Sequence, residues 1–170
     1  KALDQALLRA GVPFLYGCYA TDVLRDARGH PAGIVMAHRS GRQAVLAKVI
    51  IDATNPLLFR PNALPTLAVG GADSAGEQVQ RWLPGGKVVK AFNTVNHAHM
   101  VGPSFPGGPP DMFLCGDDEA AKKKVAGICR EFGWGVIDMG GIEGARLLEP
   151  LALIYIRNAL RTGNWDYAFK

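Results

Sequence analysis

The sequence has 170 residues, which is about the length of one domain. Hydrophobic residues make up 48% of it and charged residues 20%, as is usual for a globular protein. This composition excludes a disordered chain, a collagen-like repeat and a small disulfide-stapled scaffold. The net charge is +4, but the densest basic cluster, Lys122 to Lys124, points three ways on a helix and has no flanking aromatic residues. We therefore expect no nucleic-acid partner.

Three cysteines, Cys18, Cys115 and Cys129, form no CxxC pair, and their number is odd. Reduced thiols in a cytoplasmic protein are the simplest interpretation of this pattern. No apolar run approaches the roughly 20 residues that a membrane-spanning helix needs. We therefore expect a cytoplasmic location and no membrane partner.

The first third of the chain predicts one helix followed by short strands. Residues 2–10 place leucines on one side of a helix that Gly11 ends, and residues 12–20 form an apolar run typical of a buried strand. Glycine-containing turns separate the next strand-like runs, which favours an antiparallel meander. The last of these runs ends in a continuous apolar stretch, which is also typical of a central strand in a parallel sheet. The three runs are residues 22–26, 32–37 and 43–51.

Beyond the meander, strands alternate with helices, which indicates an α/β layer fold. Residues 55–72 and 102–110 are predicted to be proline-rich loops. Ser74 and Glu77 form a predicted capping box for the first helix, and Asp117 is predicted to cap the second. The predicted elements are a helix from Asp73 or Ser74 to Trp82, strand 87–91, a turn or helix at 92–100, strand 112–115, helix 118–132, strand 134–139 and helix 143–161.

Short motifs with a known chemical role are missing from the sequence. It contains no GxGxxG, GxxxxGK[ST], HExxH or GxSxG pattern. The glycine-rich segment 140–144 follows a predicted strand and opens a helix, but its glycine spacing differs from that of a phosphate-binding turn. A tight turn between strand and helix is the favoured interpretation of this segment.

Histidines and carboxylates also show no catalytic spacing. His97 and His99 lie two residues apart and face away from each other on a helix, which favours surface histidines over a metal site. Glu143 and Glu149 are interpreted as a helix N-terminal charge and a partner for Arg146. We therefore predict no metal ligand and no catalytic side chain.

Two polar turns follow apolar strands and form the candidate site. Thr54, Asn55 and Pro56 follow one predicted strand, and Asn93 and Thr94 follow another. Ligands of open α/β sheets bind at the carboxyl ends of the strands. Amide and hydroxyl groups placed there can hold a carboxamide, a ribose or a phosphate. Turn and cap chemistry, which asparagine and threonine also favour, is the alternative interpretation.

Several stretches of the chain resemble a known family. In the same order they resemble the NADPH:deazaflavin reductases, which are NADP oxidoreductases that use a deazaflavin coenzyme. The ferric-reductase domains of the STEAP-type metalloreductases are more distantly similar. The resemblance covers residues 51–170, about two thirds of the chain. The stretches that carry it are IDATNPL (51–57), DSAGEQVQRWLP (73–84), KVVKAFNTV (87–95), MFLCGDDEAAKKKV (112–125), FGWGVIDMGGIEGARLLEPLA (132–152) and WDYAFK (165–170).

Residues 1–54 resemble an internal segment of FAD-dependent oxidoreductases of the glutathione-reductase-like kind. In those proteins a helix, a strand and a meander lead to a strand that ends in a D-A-T turn. The tetrapeptide at 51–54 suits both families, so the chain is interpreted as a fusion or chimera joined there. The predicted units are residues 1–54, a flavoprotein-like helix and meander, and residues 55–170, the C-terminal part of a Rossmann-like NADP oxidoreductase domain.

The resemblance implies an α/β fold with an incomplete, Rossmann-like three-layer sheet beside an N-terminal helix and meander. It implies hydride transfer between NADPH and a deazaflavin or flavin-type acceptor, with FAD as an alternative cofactor. Thr54, Asn55 and Pro56 line the nicotinamide side in this view, and Asn93 and Thr94 lie nearby. Both families place a GxGxxG turn in a unit that this sequence lacks, so the activity is expected to be impaired.

Two other functional interpretations stay open. The chain is alternatively a fragment of an FAD-dependent oxidoreductase, or a non-catalytic Rossmann-like binding or oligomerisation module. A small-molecule redox cofactor is the expected partner in the enzymatic interpretations. Strand edges left unpaired by a missing unit favour a homodimer or aggregation.

Overall fold

The computed structural model describes residues 19–38 and 41–170, together with Gln5, Leu8, Arg9 and Gly11. The first three of those four residues are helical, within the helix predicted for residues 2–10. The remainder of that predicted helix lies outside the described residues. So do Cys18 and most of the strand predicted for residues 12–20.

The predicted antiparallel meander is present. It consists of β1 (Tyr19–Arg25), β2 (Pro31–His38) and β3 (Gly41–Leu46), each paired antiparallel with the next. The turn between β1 and β2 is held by the Asp26 carboxylate, which accepts hydrogen bonds from the backbone N–H groups of Arg28 and His30. An Asp side chain that binds backbone N–H groups just ahead is a common way to stabilise a turn.

The strand predicted at residues 43–51 is in fact two strands in two different sheets. β3 ends at Leu46, and β4 (Ile50–Asp52) begins after a three-residue break. Every residue of β3 is exposed at the edge of the meander, whereas Asp52 at the end of β4 is buried. The chain therefore changes sheet inside the run, because β4 pairs with a strand from the second half of the protein. The apolar pattern alone did not reveal this break.

The centre of the fold consists of two parallel strand pairs, β4-β7 and β8-β9, which a single bridge joins into the central sheet. β7 (Val88–Lys90) pairs parallel with β4, and β8 (Asp111–Leu114) pairs parallel with β9 (Gly135–Asp138). The two pairs are joined where Lys90 and Cys115 exchange reciprocal backbone hydrogen bonds of 2.9 and 3.1 Å. This is an antiparallel contact, so β8 and β9 run opposite to β4 and β7.

Helices cover both faces of this sheet. α2 (Glu119–Glu131) packs on the face that carries Val89 and Leu114, and it contributes Val125 and Cys129 to that core. α1 (Ala75–Trp82) and the start of α3 (Ala145–Thr162) cover the face that carries Val88 and Cys115. The chain thus has a mixed α/β, Rossmann-like fold of three layers, as predicted.

The meander packs against one end of this unit. Val23 of β1 and Ile34 of β2 contact the core that contains Leu83, next to Val79 of α1. The partial burial of these aliphatic side chains attaches the meander to the face of the central sheet that α1 and α3 cover. None of the helices among the described residues combines the length and the hydropathy needed to cross a membrane.

Two predictions about loops and caps need correction. Residues 55–72 are not wholly irregular, because Leu57–Leu58 (β5) and Thr66–Leu67 (β6) form a short antiparallel hairpin. The cap of α2 is Asp118 rather than Asp117, since the Asp118 carboxylate accepts a 2.7 Å hydrogen bond from the Ala121 N–H. The neighbouring Asp117 binds the N–H of Ile142 instead.

The chain after α3 folds back along the protein. Gly163, with φ of 73°, ends the helix in the left-handed conformation that glycine tolerates best. The Tyr155 hydroxyl then donates to the Trp165 carbonyl at 2.7 Å, and the Asp111 N–H donates to the Phe169 carbonyl at 3.1 Å. These bonds hold Trp165 beside the carboxyl ends of β4 and β7.

The contact between α1 and α3 is tight at Gly76, where a Cβ atom would lie 2.8 Å from the Ala145 Cβ. We predict that Gly76→Ala lowers the free energy of unfolding by about 1–3 kcal/mol through overpacking. Gly127 of α2 is the matched control, because a Cβ there meets nothing within 4 Å. Gly127→Ala is expected to raise the stability by about 0.5–1 kcal/mol through helix propensity. Urea unfolding of both variants tests this, and equal effects would contradict it.

Candidate functional site

A cavity lies at the carboxyl ends of β4 and β7, as expected for a ligand site in an open α/β sheet. Its volume is about 540 Å³, and aromatic, aliphatic and amide side chains line it. Among the described residues that line it there is no aspartate, glutamate, lysine or arginine, and His97 is the one ionisable group other than a tyrosine. The lining residues are Ala53, Asn55, Leu57, Phe59, Phe92, Asn93, Val95, Asn96, His97, Met100, Tyr155, Ile156 and Trp165.

Two amide side chains join the strand ends at the floor of this cavity. The Asn55 Nδ2 donates to the Asn93 carbonyl at 2.8 Å, and the Asn93 Nδ2 donates to the Asn55 Oδ1 at 3.0 Å. The same Asn93 Nδ2 also donates to the Leu148 carbonyl of α3 at 2.9 Å. The loops after β4 and β7 are thereby fixed to each other and to α3.

A buried lysine lies directly behind this pair. Lys90, the last residue of β7, is fully buried, and its Nζ is 2.8 Å from the Asp52 Oδ2 and 3.0 Å from the Glu149 Oε1. The Nζ donates hydrogen bonds to the Asp52 Oδ2 and, at 2.9 Å, to the Thr54 carbonyl, and Glu149 adds an ion pair. Two carboxylates and a carbonyl thus replace the water that a buried charge loses.

The two carboxylates around Lys90 each hold a backbone segment. The Asp52 Oδ1 accepts hydrogen bonds from the Thr54 N–H at 2.9 Å and the Thr54 hydroxyl at 2.7 Å, which fixes the turn after β4. Glu149 accepts from the N–H groups of Ala75 and Gly76 at 3.0 Å each, at the N-terminus of α1. The positive end of that helix dipole adds a second stabilising interaction for Glu149.

The interpretation of Glu149 as a partner for Arg146 is wrong. Arg146 binds Glu77 of α1 instead, with its Nε 2.8 Å from the Glu77 Oε2. Hydrogen bonding from Arg146, aided by the Ser74 hydroxyl, lowers the pKa of Glu77. The Ser74 oxygen caps the Glu77 N–H as predicted, but the Glu77 carboxylate is bound by these two side chains. Arg146 could reach α1 because the two helices pack together, which no local spacing indicates.

The structure brings together two of the five predicted site residues at the cavity. Asn55 and Asn93 line it, whereas Thr54, Pro56 and Thr94 are not among the lining residues. The Thr54 hydroxyl is taken up by Asp52, and Thr94 is buried. The Pro56 carbonyl accepts from the Ala68 N–H at 2.7 Å, at the base of the hairpin. The role of all five in cofactor binding stays a prediction.

Aromatic residues at the cavity were missed in the sequence. Phe92 has a φ of 61°, a conformation that costs a non-glycine residue about 1–3 kcal/mol, and its N–H contacts the Met112 sulfur at 3.2 Å. Tyr155 and Trp165 come from α3 and the C-terminal segment, with ring centroids 6.0 Å apart. Burial raises the pKa of Tyr155 to about 12, so its hydroxyl stays protonated and keeps its hydrogen bond to the Trp165 carbonyl.

The glycine-rich turn, the histidine His99 and the cysteines have structural roles or surroundings that explain them. The turn at residues 140–144 directs the Gly140 N–H to the Asp138 carboxylate and the Ile142 N–H to that of Asp117, which disfavours an anion there. His99 pairs with Asp166 at 2.8 Å. Cys115 and Cys129 are unpaired thiols whose pKa values burial raises to about 12 and 11, which makes them poor nucleophiles.

Comparison with known proteins shows partial similarity to a group of reductases. No protein-family model matches the chain. It is 35% identical over 112 residues to the F420-dependent NADP reductase of Methanocaldococcus jannaschii, across 65% of this chain and 45% of that protein. It is 30% identical over 107 residues to Metalloreductase STEAP3 of Rattus norvegicus, across 62% of this chain and 20% of that protein. A solved structure of a putative F420-dependent NADP-reductase from Arthrobacter sp. FB24 is 41% identical, with a TM-score of 0.67, across 72% of this chain and 56% of that chain.

The chain therefore spans about half the length of the F420-dependent reductases that it matches. These similarities confirm the resemblance to deazaflavin-dependent NADP reductases and support the Rossmann-like fold. Each match leaves part of the chain uncovered. The flavoprotein resemblance of residues 1–54, and with it the fusion, stays a prediction.

Removing the buried ammonium group should strongly destabilise the protein. We predict that Lys90→Met lowers the free energy of unfolding by about 3–5 kcal/mol, because it leaves Asp52 and Glu149 buried without a counter-charge. The double variant Lys90→Met/Glu149→Gln should be more stable than Lys90→Met alone. Lys48→Met, at an exposed position, is the control and should change stability by less than about 0.5 kcal/mol. Urea unfolding measures all three, and a cost for Lys90→Met as small as that of the control would contradict the prediction.

The pair between Glu77 and Arg146 should make stability depend on pH. The folded protein lowers the pKa of Glu77 from its usual 4.5, so this carboxylate stabilises the fold above that pH and loses the effect as pH falls below it. We expect Glu77→Gln to be less stable than the unsubstituted chain at pH 7, and the difference to shrink as the pH falls below about 4.5. Thermal unfolding at several pH values measures this. A difference that does not change with pH would contradict the assignment.

Proposed function

We propose that this chain forms the nicotinamide end of an NADP-dependent oxidoreductase. The reaction is hydride transfer between NADPH and a deazaflavin or a flavin-type acceptor. Support comes from the similarity to the F420-dependent NADP reductases, whose names state both cofactors. The similarity to a metalloreductase agrees with a reductase but suggests a different final acceptor.

The observation that carries the proposal is the cavity at the carboxyl ends of β4 and β7, which asparagine and aromatic side chains line. Asn55 and Asn93 offer polar groups at its base, and Phe92, Tyr155 and Trp165 supply ring surfaces. A planar ring that carries an amide has the shape and polarity to fit between these groups. The Asn93 Oδ1 is buried and finds no hydrogen-bond partner within the described part of the chain, so it fits an N–H donor from the amide of such a ring.

These residues fit the nicotinamide half of NADP, and the proposal assigns them binding and orientation. The nicotinamide and the acceptor supply the hydride chemistry when they are bound. The cavity then has to hold the donor and acceptor carbons about 3–3.5 Å apart and exclude water. This role explains why no acid–base pair is needed among the lining residues.

The pyrophosphate half of the cofactor has no corresponding site in these residues. The sequence contains no GxGxxG turn, and the N–H groups of Gly140 and Ile142 are already bound by carboxylates. A pyrophosphate bound at a helix N-terminus contributes much of the affinity for a dinucleotide. We therefore propose that this chain alone binds NADPH more weakly than about 0.1 mM and that its reductase activity is impaired.

The identity of the acceptor is a finer proposal. The names of the relatives favour a deazaflavin, and the flavoprotein-like residues 1–54 are the reason for keeping FAD as an alternative. NADPH oxidation by the purified chain should be faster with a deazaflavin than with FAD. A preference for FAD would favour the flavoprotein alternative, and no reaction with either would favour a non-catalytic binding module.

Half-cofactors test where the ligand binds. We predict that nicotinamide mononucleotide shifts the NMR signals of the Asn55 and Asn93 side chains and the Trp165 indole, whereas 2′,5′-ADP does not. Titration of the ¹⁵N-labelled chain measures this, and we expect a dissociation constant above about 0.1 mM. Binding of 2′,5′-ADP alone, or NADPH binding at low micromolar concentration, would contradict the proposal.

Two tryptophan variants supply the control for this titration. Trp165→Ala removes a ring from the cavity wall and should weaken binding of nicotinamide mononucleotide by about fivefold or more. Trp82→Ala changes an exposed residue at the end of α1 and should leave it unchanged. Equal effects of the two substitutions would place the ligand elsewhere.

A further inference from the structure

The Asn93 amide has one satisfied end and one unsatisfied end. Its Nδ2 donates to two acceptors, the Asn55 Oδ1 at 3.0 Å and the Leu148 carbonyl at 2.9 Å. Its Oδ1 is buried and has no hydrogen-bond partner among the residues that the structure describes. Because both acceptors require an N–H group, the amide cannot be turned round to relieve the oxygen. The network thus fixes an acceptor at the cavity wall and leaves it without a donor.

An unpartnered acceptor in this position is unusual. Buried polar groups almost always have a hydrogen-bond partner, and each exception calls for a physical explanation. Asn93 is a lining residue of the cavity, and 5% of its surface is exposed. The oxygen itself is covered. A ligand N–H that reaches it would supply the missing bond.

The lining of the cavity also limits the charge of the ligand. The described part of the lining holds no lysine or arginine that could balance a carboxylate or phosphate within the cavity. The ammonium group of Lys90 is not available for this, because it is fully buried, donates to Asp52 and the Thr54 carbonyl, and pairs with Glu149. A carboxylate placed against the Asn93 Oδ1 would bring two acceptors together and would lose its hydration.

From these observations we propose that Asn93 is a specificity-determining residue, whose Oδ1 accepts a hydrogen bond from the primary amide of the ligand. The site thereby selects a nicotinamide ring and rejects the nicotinic acid ring, which carries a carboxylate in place of the amide. This inference rests on the proposed function, because it names the group by which the same cavity would recognise its cofactor. It adds a selectivity that binding of the ring alone does not require.

Two matched ligands test the inference on the unsubstituted chain. Nicotinamide mononucleotide and nicotinic acid mononucleotide differ only in the amide, and NMR titration gives the dissociation constant of each. We expect the amide to bind at least about tenfold more tightly, because only it supplies the missing donor. Equal binding at the Asn55 and Trp165 signals, or tighter binding of the acid, would overturn the role of Asn93 and leave the nicotinamide site standing. Binding of neither ligand would overturn both proposals.

Substitution of Asn93 tests whether its Oδ1 is the acceptor. Asn93→Leu removes the acceptor but keeps a branched side chain with the same number of heavy atoms, and we expect it to reduce the preference for the amide to less than about threefold. Trp82→Ala, at an exposed position outside the cavity, is the control. It should retain the preference. If Asn93→Leu folds and keeps the tenfold preference, the assignment to Asn93 is wrong; if it does not fold, the ligand pair on the unsubstituted chain decides the question.

Discussion

Lys90 places a full positive charge at the end of a central strand where water does not reach it. Removing such a charge from water is costly unless hydrogen bonds and opposite charges replace the lost hydration. Asp52, Glu149 and the Thr54 carbonyl supply these contacts, and they come from two different elements and a loop. The packing of β4, β7 and α3 therefore has to bring these contacts to one ammonium group.

The charges around Lys90 also fix the position of the helix α1. One ammonium group and two carboxylates leave a formal charge of −1, and the N-terminus of α1 offsets part of it with about half a positive charge. Glu149 receives the first N–H groups of that helix, Ala75 and Gly76, and so docks α1 on α3. The close approach at Gly76 follows from the same docking, because a side chain there would collide with Ala145.

The regular parts of the fold were accessible from the sequence because they depend on local patterns. The periodicity of α2 and the strand-end position of Asn55 and Asn93 are local features, and the structure agrees with them. The break between β3 and β4 was not predictable, because it depends on which strand pairs with Ile50. The burial of Lys90 was not predictable either, since a lysine at a strand end is ordinarily exposed. Its burial depends on Asp52 and Glu149, which are both distant from it in sequence.

The charged network and the uncharged cavity are adjacent, and their separation has a physical reason. Leu148 and Glu149 are consecutive in α3, so one turn of helix holds the Asn93 amide with a carbonyl and Lys90 with a carboxylate. The strand-end loops are thus positioned by charges that face away from the cavity, and the lining can stay neutral. A neutral wall on a rigid support binds a ligand through ring contact and single hydrogen bonds. The buried ions set the geometry of the candidate site without contributing their charge to its walls.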